Sequence, residues 1–145
     1  MKTVELNFHE LELSYKLIFG GEQEMPTGEV LKYNGLIREN ITLGVRHRLI
    51  KVLNVIGKAL NEYYLERDKI TKEIWGENPP SLTTKEDMQA YHETEDGKAI
   101  IAATNPLFAQ KKKIEFEPLH FSRIENEKFN TDYTFLVDNF FDDTK

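Results

Sequence analysis

Residues 42–75 read TLGVRHRLIKVLNVIGKALNEYYLERDKITKEIW. Val45, Leu49, Val52, Leu53, Ile56, Leu60, Tyr63, Tyr64, Ile70 and Ile74 recur at intervals of three and four. At 100° per residue they fall on one broad stripe, the signature of an amphipathic helix. Lys51, Asn54, Lys58, Asn61, Glu62, Lys69 and Lys72 fill the opposite side. Thr42 or Asn40 can cap the start, and Gly76 with Pro79 and Pro80 closes the end. Such a helix would run about 50 Å at 1.5 Å per residue. A globule of this chain length has a radius of gyration near ~15 Å, so the rod is as long as the body or projects from it. Gly57 lies mid-helix, at a cost of about 0.8–1 kcal/mol relative to Ala. Close approach of another segment would justify it; otherwise it is a tolerated imperfection. Arg67 falls within the apolar stripe, where burial would demand a carboxylate partner. The stripe is therefore expected to leave the core there, with Arg67 at its edge or against a second molecule.

Upstream, Val4, Leu6 and Phe8 alternate with polar residues and predict a strand over 2–8. Leu11, Tyr15 and Ile18 take helical spacing, predicting a short helix over 9–19 that Gly20-Gly21 ends. Glu22 to Pro26 reads as a polar loop. A second short helix is expected from Thr27 or Gly28, carrying Val30, Leu31, Tyr33 and Ile37. Downstream, residues 77–98 read as a polar excursion or loop with Asp96-Gly97 as a turn signal. Within it, Thr84 followed by Asp87 has the form of a capping box and allows a helical turn or two through Tyr91. Asn105-Pro106 predicts a helix start that docks Leu107 and Phe108. Lys113 to Glu117 alternates again and predicts a strand antiparallel to residues 2–8, ended by Pro118. Glu125–Asn130 reads as a polar turn. Thr131 is the expected cap of a last helix that holds Tyr133, Phe135, Leu136, Val137, Phe140 and Phe141 before Asp142-Asp143. The fold class is α+β, mainly α: one long central helix, short flanking helices and a small two-stranded antiparallel sheet, in one domain spanning 1–145.

Net charge is -6 and the sequence pI is about 5.3. That balance argues against a general nucleic-acid binder, which needs a basic face. The chain has no cysteine, so no disulfide, thiol nucleophile or Cys-based zinc site can form, and a cytosolic setting fits better than a secreted one. No apolar run approaches the ~20 residues of a membrane span. His9, His47, His92 and His120 are not at metal-ligand spacing, and no HExxH, P-loop or GxSxG pattern occurs. Lys111-Lys112-Lys113 reads as a strand entry. The sequence therefore offers no catalytic residues, no cofactor motif and no metal ligands, and a non-enzymatic role is expected.

Aromatic content is 11%. Most of it must build the core. Val55 and Leu65 fall on the polar side of the long helix, and Phe140-Phe141 precede an acidic end. With Arg67 and Trp75, these residues are the candidate protein-interface positions.

An N-terminal alternating strand leads to the run Ile41-Thr42-Leu43-Gly44-Val45-Arg46-His47-Arg48-Leu49-Ile50-Lys51-Val52-Leu53. The long charged helix ends near Tyr63-Tyr64-Leu65-Glu66-Arg67-Asp68, a polar segment with Asp96-Gly97 follows, and a late strand is Lys113-Ile114-Glu115-Phe116-Glu117. This order of parts resembles small uncharacterised proteins found among bacteriophage structural and assembly genes. It departs from them in having Gly44 and no proline near the start of the long helix. The resemblance implies a virion structural or assembly protein, present in the virion or in host cytoplasm during assembly. It further implies an oligomer that contacts copies of itself or other phage structural proteins. It transfers no catalytic residue. A small regulatory or inhibitory binding protein acting on a host or phage enzyme is the alternative. A metal-dependent hydrolase using scattered carboxylates is the third reading.

Overall fold

The long helix forms over Leu43–Trp75 (α2), as its periodicity predicts. Thr42 caps it by accepting from the Val45 amide, and Gly76, at φ +65°, turns the chain out of it. The computed structural model describes residues 1–25, 27–77, 80–121 and 123–141. Pro26, Pro79 and the acidic pair Asp142-Asp143 lie outside the described residues. Leu49, Val52, Leu53, Ile56, Ala59, Leu60 and Tyr63 of α2 are buried. Residues 8–19, 95–109 and 112–116 pack along this stripe.

Strand β1 (Lys2–Leu6) pairs antiparallel with β4 (Lys112–Phe116), in the register Lys2↔Phe116, Val4↔Ile114, Leu6↔Lys112. The alternation puts Leu6, Ile114 and Phe116 into the core, while Glu5 and Lys113 face each other across the exposed side. Between them in sequence, helix α1 (Phe8–Phe19) starts with a full capping box: the Glu10 amide donates to Asn7 Oδ1 at 2.9 Å, and the Asn7 amide to Glu10 Oε1 at 3.1 Å. Buried Ser14 satisfies its hydroxyl by donating to the Glu10 carbonyl at 2.7 Å.

The segment expected to form a second short helix is instead a hairpin, β2 (Gly21–Glu24) with β3 (Val30–Tyr33). The correction has a local cause. Gly20 and Gly35 take φ +99° and +91°, and their backbones lie against each other at the base of the ribbon. A Cβ on Gly35 would lie 2.7 Å from the Phe19 carbonyl carbon and oxygen. Only glycines permit that closure, and a 3₁₀ turn over Leu36–Arg38 then leads toward α2.

Within the polar segment 77–98, the Thr84 cap opens helix α3 (Lys85–His92). Thr94 caps a 15-residue helix, α4 (Glu95–Ala109). Asp96-Gly97 is thus the first turn of α4 rather than a loop turn. Gly97 is required there because a Cβ would fall 2.1 Å from the Tyr91 carbonyl oxygen. Pro106, expected to start a helix, sits in the last turn of this one, where its missing N–H removes one intrahelical bond and the helix ends three residues later. The expected polar turn at 125–130 is mostly helix α5 (Arg123–Phe129). The last helix, α6 (Thr134–Phe140), begins after Tyr133 rather than at Thr131.

Helix α6 closes the far end of the core. Phe116 and Phe140 pack at 4.9 Å between ring centroids, and Phe121 stacks on Phe141 at 4.7 Å. The Leu119 amide donates to the Phe140 carbonyl, and Lys2 Nζ to the Phe141 carbonyl, each at 2.8 Å.

Candidate protein-interaction groove

Helix α1 runs back along α2. At one end Phe8 meets Tyr63 edge to face at 5.5 Å. At the other, Phe19 lies across from Ile50. Leu11 and Ile18 are buried between the helices, but beside that line the two surfaces diverge. The result is an open groove of about 730 Å³. Its α2 side is formed by Ile50, Asn54, Gly57, Lys58 and Asn61, and Leu53 lies at its floor. Tyr15 and Phe19 of α1 form the other side, and Ile37 closes one end.

Two large apolar side chains are left in water here, Phe19 at 49% and Ile50 at 44% exposure. About two turns beyond Ile50, Gly57 presents bare backbone: a Cβ added there would meet nothing within 4 Å. No packing among the described residues therefore requires the glycine. What it does is deepen the groove by one side chain.

The electrostatics of the groove run against the chain as a whole. Residues 43–61 carry Arg46, Arg48, Lys51 and Lys58 and no acid. Arg46 is used internally, donating to the Ile37 and Glu39 carbonyls. Arg48 reaches toward Glu117 at 3.9 Å. Lys51 and Lys58 form no ion pair with a described residue. Glu12 pairs with Lys16 at 3.5 Å and Glu62 with Lys112 at 3.1 Å, while Glu115 lies in the same surface pocket as Lys58, with Lys112 and Lys113.

The six interface positions expected from the sequence scatter. Leu65 is 59% exposed, farther along α2 than the groove. Arg67 is half-exposed, paired with Asp68 and set over the Tyr64 ring at 4.9 Å. It leaves the core where the stripe does, as its charge requires. Trp75 is half-buried, and its indole N–H donates to the Tyr91 hydroxyl. Val55 is half-buried against β4, beside Lys112 and Ile114. Phe140 and Phe141 are not on the surface: both are buried by the aromatic stack and the Lys2 hydrogen bond. An acidic tail next to them in sequence says nothing about where the rings point.

Sequence reasoning missed the groove itself. Its signal was present in the spacing of Ile50, Asn54, Gly57 and Asn61, a second stripe at threes and fours beside the first. It was hidden because two of its four members are polar and one has no side chain.

Three phenols are held protonated beyond their ordinary range. Burial raises Tyr63, helped by Glu66, Glu10 and Glu62. Burial and Glu12 raise Tyr64, with Arg67 acting against them. Burial and the hydrogen bond to Glu39 raise Tyr133 furthest. Among the described residues no three of His, Asp and Glu converge in an arrangement that could hold a metal ion. No helix among them is long and apolar enough to cross a membrane. The chain matches no protein-family model, no curated protein and no solved structure.

Proposed function

We propose that this protein works by non-enzymatic contact with other chains, as a structural or assembly component of a bacteriophage particle, and that the α1–α2 groove is its contact surface. One observation carries the reading: Phe19 and Ile50 stand nearly half in water at one end of a groove whose middle is the bare Gly57. Covering two such side chains favours association by roughly 1 kcal/mol or more each, at about 25 cal/mol per Å². The phage setting is supported by the order of parts alone, a short strand, the long charged helix, a polar segment and a late strand.

The test is recovery of the chain with assembling or finished particles, quantified by mass spectrometry, for the parent and for Ile50→Glu. The parent is expected at a fixed copy number and the variant depleted at least tenfold. A parent chain never found with particles or their precursors, and monomeric in their presence, would sink the proposal. A small regulatory protein acting on one soluble enzyme is the second reading. It is favoured by the size of the groove, which spans only Ile50 to Asn61, about 17 Å of helix. It predicts a stoichiometric soluble complex in place of particle association.

A further inference from the structure

The contact-surface reading leaves open what fills the groove. We infer that its occupant is an amphipathic helix of a partner protein, apolar on one face and bordered by carboxylates; the inference rests on that reading. Both sides of the groove are helices whose backbone groups are bonded internally. An extended segment laid there would bury a run of amides with only the Asn54 and Asn61 side chains to pair them. A helix satisfies its own backbone and needs only side-chain contact. The groove is about three turns long, and at its centre Gly57 lets a second helix approach more closely than any other residue would. Asn54 and Asn61 stand along it as amides able to fix the register of what docks.

Charge selects among helices. Lys58 lines the groove, Lys51 lies about two turns before it on α2, and neither forms an ion pair with a described residue. Lys58 also borders Glu62 and Glu115, but Glu62 is paired with Lys112, and Lys113 beside them keeps this patch net positive. A helix flanked by Glu or Asp meets two free cations, whereas a basic one is repelled. A second copy of this chain fits poorly. Docked two-fold about Gly57, it would set Lys58 against its own counterpart, a like-charge contact at the centre of the interface.

The test uses the full chain and two displayed pools of helical peptides, each about five turns long. Both pools share randomised Leu, Ile and Met along one face; one has Glu flanks and the other Lys flanks. Selection at low salt is expected to enrich the Glu-flanked pool at least tenfold over the Lys-flanked pool. Lys58→Glu should reverse that preference. Gly57→Leu, which fills the open space, should abolish binding while far-UV circular dichroism stays unchanged. Enrichment indifferent to flank charge, no enrichment from either pool, or a parent chain that self-associates through a Gly57-sensitive contact would each overturn the inference. If neither pool binds while Ile50→Glu still depletes the chain from particles, the groove remains a contact surface and only the occupant is wrong. If both experiments fail, both readings fall.

Discussion

The Tyr133 hydroxyl donates to Glu39 Oε1 at 3.0 Å, joining the loop before α2 to the turn before α6. Its ring is buried, and this bond and the burial both hold the phenol in its protonated form. The folded chain therefore keeps a proton that the unfolded chain gives up above its ordinary value of about 10. Stability from this source is complete below that value and falls as pH rises past it. Tyr63 and Tyr64 act in the same direction. Denaturant titrations should therefore show unfolding free energy dropping beyond about pH 10. Phenolate absorbance should show three of the six tyrosines ionising late. Tyr133→Phe should cost about 1 kcal/mol near neutrality and reduce the alkaline slope. An unchanged slope would mean that Tyr133 ionises alike in both states.

Two glycines should respond oppositely to the same substitution. Gly35→Ala forces a Cβ to 2.7 Å from the Phe19 carbonyl at φ +91° and should lose at least about 2 kcal/mol. Gly57→Ala enters open space within a helix and should gain up to about 1 kcal/mol. Urea midpoints with unchanged slopes would measure both. A destabilised Gly57→Ala would show that the groove is narrower than described.

The aromatic pair at the chain's end belongs to the core, and truncation distinguishes it from the surface. Phe140→Ala or Phe141→Ala should cost roughly 3–5 kcal/mol. Leu65→Ala, at 59% exposure, should stay within about 0.5 kcal/mol. Thermal melts of the three variants decide it; a mild loss at Phe141 would mean that its ring can leave the stack.

Helix α3 buries no residue of its own. It is tied by the Trp75–Tyr91 hydrogen bond and ring contact and by the exposed Lys85–Glu24 pair at 3.4 Å. Amide exchange should therefore be faster in α3 than in α1 or α2. Trp75→Phe, which removes the indole donor, should speed it further and leave α1 unaffected. Equal protection in α3 and α1 would contradict this account.

The sequence was readable where one physical signal dominated. Helix α2 carries nine turns of a single period between Thr42 and Gly76, and no local preference competes over that length. The β1–β4 pair was readable because Val4, Leu6, Ile114 and Phe116 alternate cleanly. The hairpin at 21–33 was not, because nearly all of its residues are exposed and neither face has a pattern to read. Val30 and Leu31 then look like a helical pair, although the deciding residues are Gly20 and Gly35. Asp96-Gly97 misled for a related reason. Glycine there answers a close approach to the Tyr91 carbonyl at the tight junction of two helices, and the same dipeptide signals a loop turn when only one helix is expected. The groove left only a faint trace, the second stripe of Ile50, Asn54, Gly57 and Asn61, and Gly57 acquires its meaning only once Tyr15 and Phe19 line the other side.

Lys2 sits opposite Phe116, and Leu6 opposite Lys112. A ribosome delivering this chain releases β1 well before its mate, which emerges only after α1, the hairpin, the long rod, α3 and α4. Val4 and Leu6 must meanwhile remain uncovered, or be sheltered by a chaperone, until more than a hundred later residues have left the exit tunnel. Nascent chains stalled before β4 should therefore be conspicuously sticky, and those stalled beyond Phe116 should not.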